Sequence, residues 1–403
     1  MDLDARRIPI VDVAGTDKPE EVAELQAKRP VCPVTMADGT DAWLVTGYEE
    51  VRKVLTDPRF QRDPNITGNA ATKTPVPEHT GPQMRSLDMD GQGHTEIRSL
   101  VSSAFSGRAV RRFEPRIQEI ADSLLDDFER QGSPADLASE FARPFPVAVI
   151  CDILGISVSA DEHKEIRRWI EASMSLGKYS PEEMQQARIE LFGYFQRVVA
   201  EKREAPADDL LTALITACYD DRKLSELEML RLAITVFVAG HETTVNAINL
   251  GVWRLLQHPD QFAMLRDDPD LVTPAVEELL RFQFHPTVGI DRRRFAAEDV
   301  TLGENTICAG DVVIASVNAA NQDRHFFSRP DRFDITRTPN PHLSFGDGPH
   351  YCLGAALARA ELIIAVRSLS VRFPGLRLAE AVEAVRRRKG LLVAGLERLP
   401  VAW

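Results

Sequence analysis

Apolar positions recur at helical spacing through most of residues 91–283, and this long pattern dominates the chain. It predicts helices over 93–105, 109–130, 144–154, 160–174, 181–204, 208–219, 224–258, 260–267 and 271–283. Ser225 and Glu228 have the spacing of a capping box and Pro259 marks a stop, so the helix between them runs for roughly 33 residues, about 50 Å at 1.5 Å per residue. A helix of that length has to cross the core. Ahead of the helical run, 19–28 reads as a short helix and 31–46 as a hairpin, with alternating apolar residues around Asp38-Gly39. Thr46 and Glu49 have capping-box spacing and open a helix over 48–56. Residues 57–87 carry prolines, glycines and no period, as in a lid or a disordered tether. Ser175-Leu176-Gly177 reads as a flexible hinge between two helices. A second β-rich patch is expected over 293–315, an irregular approach over 329–345, and a final hairpin over 386–401. The architecture is mainly α with small β lobes. A single domain over 1–403 is expected, its β-rich lobe mainly 30–60 and 290–315, its helical core 90–285 and 341–371.

Within that pattern one break stands out. Phe345-Gly346-Asp347-Gly348-Pro349-His350-Tyr351-Cys352-Leu353-Gly354 is a glycine-bearing loop that runs into a helix reaching Ser370. Gly346 and Gly348 permit positive φ and close backbone approach. Cys352 then stands at a helix start, where unpaired N–H groups favour a thiolate. Such a thiolate can act as nucleophile, redox partner or metal ligand. The glycines do not match G-x-G-x-x-G, because position 351 is tyrosine, and no G-K-[ST] follows. A cysteine hydrolase needs an oriented base, and His350 lacks a clear third group.

Composition narrows the field. The chain has 403 residues, 44% of them hydrophobic, and a net charge of −13, which argues against nonspecific nucleic-acid binding. No apolar run approaches the roughly 18 residues of a membrane span, and the acidic start does not resemble a secretory signal. Five cysteines without a C-x-x-C pair indicate a reducing compartment, so a cytoplasmic protein without disulfides or structural zinc is expected.

Three further constellations bear on chemistry. In the middle of the long helix stand Ala239-Gly240-His241-Glu242-Thr243-Thr244, where Val236, Ala239, Gly240, Thr243 and Ala247 share one face. That face suits close helix packing, with Thr243 bonded to its own helix, or a flat bulky group lying against it. Glu242 beside Thr243 also makes a proton relay possible. Glu278 and Arg281 form an E-x-x-R pair, on its own an ordinary ion pair. His94 and Arg98, the run Arg292-Arg293-Arg294, and His350 are cations scattered through an acidic chain, suited to anionic groups on a cofactor.

Together these motifs resemble the cytochromes P-450, the heme-thiolate monooxygenases, in their bacterial form. Phe345, Gly348, Cys352 and Gly354 fall in register with F-x-x-G-x-x-x-C-x-G, A-G-H-E-T-T matches the oxygen-activation motif, and E-L-L-R matches E-x-x-R. The likeness runs from about residue 8 to the end. It implies an α-rich fold with a long central helix over heme b. Cys352 would be the metal ligand, its donation favouring O–O cleavage. Phe345 and Gly346 would lie beside the thiolate, and Ala239 and Gly240 would leave room for dioxygen. Glu242 and Thr243 would be the catalytic, proton-delivering pair. His94, Arg98, Arg294 and His350 match heme-propionate partners. Glu278 and Arg281 would be structural, with Arg332 as their expected third member. Where relatives carry Asn-Arg-Asp-Pro this chain has Asn321-Gln322-Asp323-Arg324, taken as peripheral.

The implied activity is hydroxylation or epoxidation of a medium-to-large apolar molecule, with dioxygen, in secondary-metabolite biosynthesis. Substrate would meet the lid at 57–87, the hinge around 173–181, and 284–290. Without a flavin- or nicotinamide-binding segment, electrons would come from a ferredoxin and its ferredoxin reductase. Arg108, Arg111, Arg112 and the run Arg386-Arg387-Arg388-Lys389 would supply a docking patch, or simply a solvated face. Oxidative aryl or phenol coupling uses the same parts. A peroxygenase or isomerase, or a non-catalytic heme carrier, would not need Glu242 and Thr243.

Overall fold

The computed structural model describes residues 6–7, 20–36, 39, 41–63, 86–175, 177–283, 293–391 and 395–403. Most of the expected lid, all of 284–290, and Leu176 lie outside them.

In chain order the elements are β1 (Arg6–Arg7), α1 (Glu20–Lys28), β2 (Val31–Thr35), β3 (Asp41–Val45), α2 (Tyr48–Thr56), β4 (Phe60–Gln61), α3 (Gly91–Ser102), α4 (Gly107–Gln131), β5 (Ala135–Asp136), α5 (Pro144–Leu154), α6 (Ala160–Ser173), α7 (Pro181–Glu204), α8 (Leu210–Tyr219), α9 (Glu226–Leu256), α10 (Pro259–Asp267) and α11 (Val272–Phe282). There follow β6 (Arg293–Ala296), β7 (Val300–Leu302), β8 (Asn305–Ile307), β9 (Val312–Ala315), α12 (Val317–Ala320), α13 (Ala355–Arg372), β10 (Arg377–Leu378) and β11 (Pro400–Ala402). All nine helices anticipated between 91 and 283 are present, because their ends are written locally. Ser159, Ser180 and Ser225 each close a capping box with the glutamate three residues on. Pro144, Pro181 and Pro259 occupy first-turn positions where a missing N–H is harmless.

The chain divides into two compact units, Met1–Thr95 with Glu277–Leu353, and Glu96–Val276 with Gly354–Trp403. The first unit contains a six-stranded sheet of order β1-β2-β3-β9-β6-β4 and the two-stranded β7-β8 ribbon. Pairing Leu44 with Ile314 and Val45 with Ala315 fixes the register of β3 on β9. Alternation along β3 then sends Ala42 and Leu44 to one core with Cys32, Val34 and Phe295, and Val45 to another with Val51, Val54 and Val313.

The second unit is organised by α9. Its 31 residues pack against α5, α7, α8, α10 and α13, and everything from Thr244 to Trp253 is buried. Fully buried aromatics such as Phe195 and Phe237, stacked edge to face, each contribute about 1.5–3 kcal/mol from burial. A three-stranded sheet of order β10-β11-β5 joins the chain's last residues to the end of α4.

The expected hairpin is present and pairs Thr35 with Asp41, while Asp38 of its expected turn lies outside the described residues. Three local expectations need correction. Thr46 does not cap α2; its hydroxyl donates to the Pro30 carbonyl and Gly47 is the N-cap, without a side-chain bond. Asn321, Gln322 and Asp323 are buried, not peripheral. Asn321 Oδ1 accepts the Leu343 N–H, and Asp323 accepts the first N–H of α2 at Tyr48. Finally, the expected hairpin is shorter than 386–401: 386–388 pair antiparallel with 395–397, Arg388 N–H to Gly395 carbonyl and Glu397 N–H to Arg386 carbonyl, while β11 pairs elsewhere.

Candidate active site

Cys352 lies at the end of the first unit, and its side chain is exposed. A 3-10 turn, Gly348–His350, precedes it, and α13 begins beyond Gly354, the N-cap. Gly346 and Gly348 both have positive φ, 74° and 70°. At Gly348 a Cβ would stand 2.7 Å from the Leu55 carbonyl oxygen, so this loop lies directly on the end of α2. The Gly346 N–H donates to Leu343, and the Cys352 N–H donates to the Phe345 carbonyl at 2.8 Å. The thiol is thus presented from a loop braced by its own backbone. Phe345 stands 6.0 Å from the His342 ring and 6.4 Å from the Tyr351 ring.

Cations gather in the same unit. The rings of His94 and His350 lie 4.4 Å apart. His350 Nε2 is 2.9 Å from Asp90, whose other oxygen accepts the N–H groups of Arg62 and Asp63. Burial pushes the Asp90 carboxyl up, but His350 and those two N–H groups outweigh it and hold it below the ordinary range. Arg294, on β6, is buried and donates to the Arg293 carbonyl. Arg98, on α3, belongs to the second unit and is half-buried.

Glu278 and Arg281 are fully buried, and their third partner is Arg337, not Arg332. Arg281 grips Glu278 with two bonds of 2.7 and 2.8 Å, and Arg337 Nε adds 3.1 Å. Arg332 contributes only its carbonyl, which accepts from Arg337. Asn340 and the Asp334 N–H complete the shell around Glu278.

In the second unit α9 is open along one line. Arg231, Thr235, Ala239 and Thr243 are exposed at i, i+4 spacing, and the opening stops there because Ala247 is buried. Thr243 Oγ1 donates to the Ala239 carbonyl at 2.7 Å. Gly240 serves a different neighbour: a Cβ there would approach the Ile150 side chain of α5 to 3.2 Å, so its smallness brings two helices together. Glu242, next in sequence to Thr243, points elsewhere and is buried. Its carboxylate pairs with Arg388, which also lies 3.7 Å from Glu171. Among the described residues no hydrogen bond joins Glu242 to Thr243.

Arg388 was missed because it belongs to a run of four cations that reads as surface. The run is split: Arg386 and Lys389 are exposed, whereas Arg387 and Arg388 are half-buried. Arg108, Arg111 and Arg112 are exposed on α4. The expected hinge is also tied down. Ser175 Oγ accepts the N–H groups of Gly177, Lys178 and Tyr179, and Ser175 bridges Leu391. Beside Glu242, burial holds the His241 imidazole down to about 4.

The features of the first unit fit a heme: an exposed thiol on a braced loop would supply an iron ligand, and buried His94 and Arg294 suit anionic substituents. In the second unit, taken by itself, the open line on α9 suits a flat or bulky occupant. Among the described residues no helix is long and apolar enough to cross a membrane.

Comparison with known proteins agrees. The cytochrome P450 family model matches residues 9–374. The chain is 42% identical over 400 residues to nocardicin C N-oxygenase of Nocardia uniformis subsp. tsuyamanensis, covering 99% of each. It is 43% identical over 398 residues to mycinamicin IV hydroxylase/epoxidase of Micromonospora griseorubida, covering 99% of this chain and 98% of the relative. Among solved structures, that of HinD with NMFT and NO superposes with a TM-score of 0.90 at 37% identity over the whole of both chains. Mainly α architecture, the exposed Cys352 and these matches lead to one conclusion: the chain belongs to the cytochrome P450 family, whose members use a heme iron, and it is a monooxygenase.

Proposed function

We propose that the protein binds heme b through Cys352 and hydroxylates or epoxidises a medium-to-large apolar molecule of secondary metabolism. The open line on α9 carries this reading, because Thr235, Ala239 and Thr243 form an exposed small-residue strip in the middle of a helix that is mostly buried. Relatives named nocardicin C N-oxygenase and mycinamicin IV hydroxylase/epoxidase support oxygenation of a small molecule of that metabolism. Bound heme supplies the redox chemistry that inserts one oxygen atom from dioxygen.

The chain's own groups do the rest. Cys352 ligates as thiolate, held by the Phe345 carbonyl and the turn of Gly346 and Gly348. Gly354 lets α13 start without a side chain against the ligand. His94, Arg98, Arg294 and His350 neutralise the carboxylates of the cofactor. Ala239 leaves space for dioxygen and substrate, and Gly240 sets the line's depth through Ile150. Thr243 Oγ1 donates to the Ala239 carbonyl and keeps its lone pairs for a donor on the open line. Glu242, next to Thr243 in the chain and paired with Arg388, is the acid assigned to the proton path that Thr243 serves. Electrons come from a ferredoxin and its reductase, with Arg108, Arg111 and Arg112 as the exposed basic surface. Five free cysteines fit a cytoplasmic setting.

The deciding experiment is spectroscopic. Reduced, CO-treated protein gives the red-shifted Soret band of thiolate ligation, and Cys352→His removes it. An unshifted wild-type band would sink the assignment.

A further inference from the structure

Upstream of Cys352, in the same unit, His342 is closed off from solvent, with 1% of its side chain exposed. Its Nδ1 accepts the Ser344 N–H at 3.2 Å, so Nδ1 carries no proton and Nε2 carries it. Nε2 is 3.0 Å from Glu277 Oε2 and donates to it. One tautomer therefore satisfies both ends of the ring, and the bond to Glu277 is the charge-assisted kind. The chain that follows is held equally closely. The Leu343 N–H donates to Asn321 Oδ1 at 2.7 Å, Ser344 Oγ donates to the Leu280 carbonyl at 2.8 Å, and the Gly346 N–H donates to the Leu343 carbonyl at 2.7 Å. Phe345 lies inside this net, and its carbonyl receives the Cys352 N–H.

Resting on the heme-thiolate reading, we propose that His342, oriented by Glu277, is a positioning residue for Cys352. It fixes the peptide of Ser344, hence the Phe345 carbonyl, hence the backbone from which the thiolate is presented. A histidine ring turns easily about its terminal torsion, which has a broad minimum. Glu277 removes that freedom and so keeps Nδ1 on Ser344. Groups that orient a metal ligand commonly change metal affinity or activity by about 10–100-fold when lost, although they never touch the metal.

The test uses the heme-loaded protein and four variants: His342→Leu, His342→Asn, His342→Gln and Glu277→Gln. Asparagine places an acceptor near Nδ1 and keeps Ser344, whereas glutamine reaches Glu277 and loses Ser344. His342→Leu should move part of the CO-bound Soret band to the unshifted position. It should also change the oxidised-to-reduced ratio at fixed potential by about tenfold, ~59 mV for a one-electron couple. His342→Asn should recover most of the wild-type spectrum and potential, His342→Gln little, and Glu277→Gln should fall between. Amide exchange at Ser344 should quicken about tenfold in His342→Leu and His342→Gln, with secondary structure unchanged by circular dichroism. Wild-type spectrum and potential in all four variants would overturn the proposal and leave the heme-thiolate reading standing. If His342→Leu does not fold, the shape-preserving Glu277→Gln decides by the same two readouts. A wild-type protein without the shifted band overturns both.

Discussion

Glu278 and Glu242 are both buried glutamates on helices, both paired with arginine, yet their surroundings differ in kind. Glu278 is saturated: two arginines, an asparagine and a backbone N–H fill its oxygens, and Arg281 anchors in turn to the carbonyls of Asn321 and Pro330. Among the described residues Glu242 has one ion-pair partner, Arg388, which it shares with Glu171, and it stands one residue from an exposed hydroxyl. A saturated carboxylate has no capacity left for substrate or proton traffic and serves the fold. A singly held one beside an open surface keeps that capacity.

The contrast makes testable claims. Glu278→Ala leaves Arg281 buried and Arg337 half-buried without their shared counter-charge and should destabilise the protein by about 3–5 kcal/mol, read by chemical unfolding. Heme incorporation should fall with it. Thr243→Ala should lower product formed per reductant by about 10²-fold, with peroxide released instead, while unfolding free energy stays within about 0.5 kcal/mol. Equal product yields would remove the relay role from Thr243. Arg388→Ala should cost about 1–3 kcal/mol, less than Glu278→Ala, because a single partner is lost and two half-satisfied glutamates remain. Its coupling should fall more than its stability explains, and Arg388→Lys should restore much of both. If Arg388→Ala destabilises as severely as Glu278→Ala, the two acids are not different in kind.

The smallest effect is on pH dependence. Burial lowers His241 from 6.5 to about 4, so the unfolded chain takes up a proton that the folded one refuses. That contribution is fully present above 6.5, and stability declines as pH falls from 6.5 towards 4. His241→Gln should flatten this slope in unfolding measured across the window.

The elements were legible wherever their signals are local. Capping serines, first-turn prolines and the 3.6-residue period placed α3 to α11 within a few residues, and Gly346 and Gly348 announced the turn before Cys352. What could not be read depends on partners distant in sequence. Arg337 rather than Arg332 meets Glu278 because three carbonyls, of Ser328, Arg329 and Arg332, hold its guanidinium in place. Arg388 turns inward to Glu242 and Glu171, partners distant in sequence that a run of four cations does not reveal. Thr46 has the spacing of a cap, but the Pro30 carbonyl competes for its hydroxyl. Asn321 and Asp323 sit in a segment that reads as peripheral because Gln322 and Arg324 depart from the relatives, yet they tie Leu343 and Tyr48. Motif spacing identified which residues matter; their hydrogen-bond partners were settled by folding.

The open line on α9 has an evolutionary consequence. Ala239 has its side chain exposed, and its carbonyl is bonded from the helix itself, so a larger residue there disturbs no neighbour in the core. The opposite faces, from Thr244 to Trp253, admit no such freedom. Under the proposed function one helix therefore separates two kinds of selection, for a folded scaffold and for the shape of what is oxidised. Substitution at Ala239, unlike Thr243, would redirect the enzyme towards new molecules while the fold is inherited unchanged.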